Sequence, residues 1–242
     1  MSSVSIFDAV HTTLPGFAAL PPDVAAAALA LTAHLETKGV TVFLSDSWSE
    51  LEALNARHAN SWFPLLPHPD TAATLWVGAA DAAGDVVGSY GGVRIDCTDK
   101  SLGERLGDLS VFHEPGTAPA EEWCFCADDA AFETRGVVTW MTAGWTNPAW
   151  RGRGLFHPLG HLLRMTSWAA WNTNWWAGVV EEDTATTVWG AAGAGKRRLS
   201  GRPTILYQQS GVERCALHYC RFSRPGVTLD AGALLGRLRQ VA

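Results

Sequence analysis

The stretch VVTWMTAGWTNPAWRGRGLFHPLGHLLRMTSW, from Val137 to Trp168, constrains the fold more than any other part of the chain. Gly136 to Ala143 is a run of β-branched and aromatic residues and reads as a strand. TNPAW, with Pro148, reads as a turn, and Arg151-Gly152-Arg153-Gly154 leads straight into an amphipathic helix from about Leu155 to Trp171. A helix start leaves backbone N–H groups unpaired and partly positive, so it can bind an anion. Glycines let the main chain approach phosphate oxygens with no Cβ in the way. Arg151 and Arg153 add charge and planar donors at the same end. A diphosphate is the natural guest. The same letters occur in ordinary strand-to-helix turns, so the placement between strand and helix carries the reading.

The rest of the chain supplies a sheet for that unit. Asp23 is placed to cap a helix through about Lys38, with Gly39 just past its end. Val40 to Leu44 reads as a strand, and Asp46 or Ser47 caps a helix with Trp48, Leu51, Leu54 and His58 on one face. Ala73 to Ala79 and Asp85 to Ile95 form a hairpin around DAAGD. Asp96 to Thr134 is irregular, with a short helix at Ser101 to Leu106 and a surface loop in HEPGTAPAEEW. Beyond the long helix come a strand (Trp175 to Val180), a helix (Asp183 to Ala191) and strands at Thr204 to Gln208 and Glu213 to Phe222. Asp230 is placed to cap a short tail helix carrying Leu234, Leu235 and Leu238. This order predicts an α/β or α+β fold: a mixed, mainly antiparallel central sheet flanked by helices. Residues 1–39 form an N-terminal helical extension, 40–225 the central domain with an insertion at 96–135, and 226–242 a tail helix.

The 242 residues suit one domain with its own core, and a net charge of −6 argues against a broad nucleic-acid-binding surface. Five cysteines with no CxxC pair fit a reducing compartment. The first residues lack a basic region followed by an apolar core, and Val24 to Leu35 is too short to span a bilayer. The chain therefore reads as cytoplasmic, with no nucleic acid and no membrane among its partners.

TNPAWRGRGL resembles the acetyl-CoA-binding motif of the GCN5-related N-acetyltransferases, Arg/Gln-x-x-Gly-x-Gly/Ala after a strand and a Pro-containing turn. Arg151 matches the first position and Gly154 the middle glycine, while Phe156 stands where the last Gly or Ala belongs. The expected element order from Val40 to about Phe222 also follows that family. The resemblance implies a V-shaped opening between the fourth and fifth strands, with pantetheine along the fourth. Backbone groups of Thr142, Ala143, Gly144 and Trp145 then meet the pantetheine amides, with Gly144 marking a bulge. Arg151, Gly152, Arg153, Gly154, Leu155 and Phe156 form the diphosphate site. The implied activity is transfer of an acetyl or other acyl group from an acyl-CoA to an amine of a small molecule or peptide. An acyl-carrier protein as donor, a second copy of the chain as partner, and a non-catalytic acyl-CoA-binding domain all stay open.

Acyl transfer from a thioester to an amine needs the amine neutral, the carbonyl polarised and the thiolate protonated. Glu133, before the fourth strand, and Glu181 or Glu182, at the end of the fifth, are candidates for the base, with Glu181 and Glu133 ranked equal and His113 behind them. The family's usual acid is a Tyr, and Trp189 occupies its place in EDTATTVWGAAGA. An indole N–H can steady a thiolate but not protonate it. The acid therefore falls to Tyr90, Tyr207 or Tyr219, or to water.

Three other signals compete. GAAGAGKR, Gly190 to Arg197, nearly spells a P-loop, but Arg197 replaces the Ser/Thr and a helix precedes it; Lys196, Arg197 and Arg198 can instead meet a 3′-phosphate. His157 and His161 have a zinc-compatible spacing with no third ligand in sight, so no metal is expected. Alternation in Cys124-Phe125-Cys126 argues against a shared metal there. The irregular 96–134 segment and the N-terminal helix are expected to shape the acceptor side.

Overall fold

A computed structural model describes residues 20–189 and 198–241. In chain order the elements are α1 (Pro22–Glu36), β1 (Thr41–Ser45), α2 (Trp48–Arg57), β2 (Thr74–Ala80), β3 (Val86–Cys97), α3 (Leu102–Gly107), β4 (Trp123–Cys126), α4 (Asp129–Glu133), β5 (Gly136–Thr146), α5 (Phe156–Trp171), β6 (Trp175–Glu181), an α-helical turn (Glu182–Thr184) running into a π-helical one (Ala185–Trp189), β7 (Arg198–Leu199), β8 (Ile205–Gln208), β9 (Cys215–Ser223) and α6 (Arg224–Val241). The strands form one sheet in the order β1-β2-β3-β5-β6-β9-β8-β4, with β7 beside β9. Among the described pairs only β5 and β6 run parallel, joined by α5; the others are antiparallel. No helix of the described residues is long and apolar enough to cross a membrane.

Local chemistry fixes several boundaries. Gly39, at φ +80°, takes the left-handed turn that ends α1. Ser101 and Glu104 cap α3 reciprocally, each side chain meeting the other's backbone N–H. Two expected caps are corrected. Pro21, not Asp23, is the N-cap of α1, and Asp23 sits in the first turn, where its charge opposes the helix dipole. Asp230 lies inside α6, which starts at Arg224 because Pro225 is tolerated in a first turn. The tail helix is therefore continuous with β9. Within 96–135 the chain also forms β4 and α4. β4 turns Cys124 and Cys126 to the same buried side and Trp123 and Phe125 outward. Alternation thus separates Phe125 from the cysteines, not the cysteines from each other.

The sheet buries both faces, as a sheet with a parallel pair between helices must. One face carries Met141, Trp176, Cys220 and Phe222 against α1, α5 and α6. The other carries Trp140, Ala177, Tyr207, Leu217 and Tyr219 against α2, α3 and α4. The site lies where this sheet comes apart. β5 and β6 pair from Val138↔Trp175 to Met141↔Gly178. Beyond that rung β5 continues on β3 to Thr146, and β6 continues on β9 to Glu181. The two strands fork.

Gly178 holds the last rung. A Cβ there would lie 2.7 Å from the Met141 carbonyl oxygen, which is main chain and cannot swing aside. Gly178→Ala is expected to cost about 1–3 kcal/mol, the range for overpacking a tight contact. Urea denaturation checks this, with Gly232→Ala on α6 as the control. Nothing lies within 4 Å of a Cβ at Gly232, so that change should be neutral or stabilise by up to about 1 kcal/mol.

Candidate functional site

On the β3 side of the fork the register slips between Ser89 and Gly91, so that β5 carries a bulge at Ala143 and Gly144. Ala143 sits at φ +54°, and its carbonyl accepts the Ser89 hydroxyl at 2.9 Å. The expected bulge is present, and it is Ala143, not Gly144, that bears the positive φ. Gly144 has a different reason to be small: a Cβ would come 3.0 Å from Phe156 and 3.2 Å from Tyr90. On the β6 side, the main chain of residues 142–145 has no strand opposite it among the described residues.

The turn after β5 forms the anion cradle. Asn147 caps a single 3-10 turn, Pro148–Trp150, and the chain then passes through Gly152 at φ +79° and Gly154 at φ +72°. These conformations cost glycine least, because it has no Cβ. The backbone N–H groups of Gly152, Gly154 and Leu155 find no acceptor among the described residues. They precede the start of α5, whose dipole adds positive potential. Lys38, from the loop after α1, supplies a charge that the motif does not predict. Its Nζ donates to the Arg153 carbonyl at 2.9 Å and lies 3.6 Å from the position of a Cβ on Gly154.

Cradle and fork open into one cavity of about 870 Å³. Its wall includes Thr142, Ala143, Gly144, Trp145, Arg151, Gly152, Gly154, Leu155 and Phe156. Of the ten residues expected to hold the donor, Arg153 alone is not on the wall: its guanidinium stacks over Trp150 at 4.2 Å. Arg151 is on the wall and ties the end of β5 to the loop after α2. It donates to the Thr146 and Ser61 carbonyls, each at 3.3 Å. That loop is further held by Trp145, whose ring stacks on Trp62 at 4.9 Å and meets the tilted ring of His58 at 4.6 Å.

The cavity is lined from both sheet faces. Leu155, Phe156 and Tyr90 belong to the α5 face, whereas Leu65, Leu66, Tyr207, Cys215 and Leu217 belong to the other. Glu181 pairs with Leu217, and Cys215 with Tyr207, so the four share that second face. Burial raises the Cys215 thiol, and the charges of Glu181 and Glu213 raise it further, which puts both carboxylates within electrostatic reach of its sulfur.

The two candidate bases part company here. Glu181 lines the cavity. Glu133 does not: at the end of α4 its carboxylate accepts from Arg221 at 2.9 Å. The reason is local, since α4 turns Glu133 toward the flank of β9. His113 is also off the wall, its Nε2 lying 2.7 Å from Glu122. Among the phenols, Tyr90 and Tyr207 line the cavity, whereas Tyr219 meets Thr134 elsewhere. The Tyr207 hydroxyl donates to Glu122, and its pKa is raised by burial and by that carboxylate. The side chains of Trp189 and Arg198, with the Gly190–Arg197 stretch, lie outside the described residues.

The rest of the cavity wall does not come from the segments expected to shape an acceptor side. Among the described residues, neither α1 nor 96–135 lines the cavity; residues 61–66 and 207–217 do. The prolines and aromatics of SWFPLLP read as a helix end, and no spacing rule connects them to a strand pair more than a hundred residues on.

No family model matches this chain, and no curated protein matches it. Solved structures do. An Arabidopsis thaliana NAA60 in complex with acetyl-CoA covers 77% of this chain and 99% of its own at 11% identity, with a TM-score of 0.47. A Vibrio cholerae spermidine N-acetyltransferase in complex with CoA and spermine covers 76% and 79% at 12% identity, with a TM-score of 0.37. Superpositions this loose, at identities this low, carry none of those proteins' activities to this chain. Its own strand order, its single parallel pair, the fork beyond Met141 and Gly178 and the glycine turn into α5 give it the fold of the GCN5-related N-acetyltransferases.

Proposed function

We propose that the protein is an acyl-CoA-dependent N-acyltransferase. The observation that carries this reading is the continuity of the cradle and the fork: one cavity joins unpaired N–H groups suited to a diphosphate with an open strand edge suited to an amide-bearing arm. Neither feature alone calls for the other. In this reading Gly152, Gly154, Leu155 and the α5 terminus receive the diphosphate, with Arg151 and Lys38 adding charge. The main chain of residues 142–145 receives the pantetheine amides and polarises the thioester carbonyl. No enzyme nucleophile is needed, because a neutral amine attacks directly.

Glu181 is the base that the cavity offers, acting through water to take the proton of the incoming amine. Tyr90 is the other phenol on the wall, and it stands as the proton donor to the departing sulfur. Acetyl-CoA incubated with an amine panel, with free thiol followed, tests the reading. Glu181→Gln is expected to lower kcat by roughly a hundredfold or more while the affinity for CoA stays the same. Binding of CoA with no thiol release for any amine supports instead a non-catalytic acyl-CoA-binding protein. One observation favours that second reading: the Tyr207 hydroxyl is committed to Glu122 and Tyr219 lies off the cavity. A carrier-protein donor presents the same arm, and acetyl-carrier protein in place of acetyl-CoA distinguishes it.

A further inference from the structure

Two glutamates stand side by side where β6 ends, and the chain sends them to opposite faces of the sheet. Glu181 pairs with Leu217 on the last rung between β6 and β9, and both line the cavity. Val180 pairs with His218 and shares the other face with it. Glu182 opens the helical turn past that last rung and is off the cavity wall. Its carboxylate turns to the side of Val180, where Oε2 lies 2.7 Å from His218 Nε2. Beyond Glu181 no further rung holds β6 among the described residues.

His218 is buried, with 5% of its side chain exposed, and both of its ring nitrogens face acceptors. Nδ1 lies 2.8 Å from the Ser200 carbonyl oxygen, and Nε2 faces the Glu182 carboxylate. A carbonyl and a carboxylate bring no proton of their own, so both nitrogens donate and the ring is an imidazolium. Glu182 is 60% exposed, so water solvates its carboxylate and the proton stays on the ring. Ser200 is itself fixed on β9: its N–H donates to the Tyr219 carbonyl at 2.9 Å, and its hydroxyl accepts the Tyr219 N–H at 3.0 Å. Of the segments beside the ring, β6 sets the uncharged Val180 opposite it, and the turn sets Glu182, followed by the exposed Asp183. The ring thus joins a rigid part of β9 to the first residue past the end of β6.

We infer that His218 is the positioning residue for Glu181: its imidazolium holds Glu182 on one face of the sheet and so keeps Glu181 turned into the cavity on the other. The role of Glu181 as base rests on the acyl-transfer reading above; its placement does not. A strand end with two consecutive glutamates is ambiguous, because a slip of one residue exchanges them between the faces. A charge-assisted bond to the second glutamate removes that ambiguity, since it forms in one register alone. The same bond seats the turn whose Thr184 and Thr187 stand on the wall. Cys215 reports on the outcome. It lines the cavity, and the charge of Glu181 raises its thiol, so a Glu181 that leaves the cavity frees more thiolate.

The test follows the reaction of Cys215 with dithiodipyridine in the full chain at pH 6, read at that residue by peptide mass. The other four cysteines are buried. Glu181→Gln is expected to speed the reaction about twofold or more, because it removes the neighbouring charge. Glu182→Ala is expected to speed it as much, and the double variant no further, since the charge that matters is that of Glu181 and Glu182 acts through its position. Glu182→Gln keeps an acceptor for the Nε2–H and is expected to lie nearer the wild-type rate than Glu182→Ala. Glu182 is exposed, so these variants should fold, which circular dichroism checks. A wild-type rate in Glu181→Gln or in Glu182→Ala, a double variant faster than either single one, or Glu182→Gln faster than Glu182→Ala overturns the inference. None of these rates needs an amine. Absence of thiol release from acetyl-CoA across the amine panel therefore overturns the acyl-transfer reading separately and leaves the placement of Glu181 standing.

Discussion

Gly154→Glu is expected to lower the affinity for coenzyme A by at least about a hundredfold without unfolding the protein. Two effects act together. Gly154 sits at φ +72°, where a side chain costs about 1–2 kcal/mol. The larger effect is electrostatic, since under the proposed reading the new carboxylate stands beside the bound diphosphate. At an effective dielectric near 20 and a few ångströms, each like-charge contact costs about 3–4 kcal/mol, and a hundredfold in Kd needs only about 2.7 kcal/mol. Gly154→Ala separates the two, since it carries the strain without the charge and should weaken binding about tenfold at most. Calorimetry on both variants, with circular dichroism as the check on folding, reads the outcome. A folded Gly154→Glu protein with unchanged affinity would take the diphosphate away from this turn.

Glu122→Ala is expected to be the most destabilising of the single changes considered, at about 3 kcal/mol. The Glu122 side chain is 1% exposed, and its oxygens accept from the Tyr207 hydroxyl, from His113 at 2.7 Å and from the Ser210 N–H at 3.3 Å. Deleting one member of a buried charged network leaves the others unpaired, at about 3–5 kcal/mol. The lower end applies because His113 is 17% exposed and can recruit water. For a chain of this size the melting temperature should fall by roughly 6–12 °C. Glu122→Gln keeps an acceptor for Tyr207 and should lose about 1 kcal/mol. The effect reaches the site, because Tyr207 stacks on Phe112 at 4.4 Å and carries the strand end that leads to Gln209 and Glu213.

Local chemistry made much of the fold legible in the sequence. The strands around the fork announce themselves through β-branched and aromatic runs, and α3 through the Ser101–Glu104 pair three residues apart. The turn of the cradle is legible for the same reason, since Asn147 to Phe156 are contiguous. What escaped is non-local. β4 has four residues and pairs with β8 some eighty residues later, so nothing in Trp123 to Cys126 distinguishes it from loop. Lys38 reaches the Arg153 carbonyl from 115 positions away. Two arginines at one turn read alike in sequence, yet Arg151 lies on the cavity wall while Arg153 stacks over Trp150. Glu133 precedes β5 in sequence yet is turned aside by α4. The acceptor wall needed the whole topology, since residues 61–66 and 207–217 meet only after the sheet closes around them.

The slot is bounded from both faces of the sheet, by α5 on one and by the segments of Leu66 and Val212 on the other. Under the acyl-transfer reading, a guest beside α5 and a guest beside Leu66 and Val212 can be resident at once. The same geometry divides the molecule's evolutionary freedom. Residues at one entrance can drift toward a new clientele while those at the opposite entrance keep their custom, and the rung between Met141 and Gly178 is the hinge-post common to both.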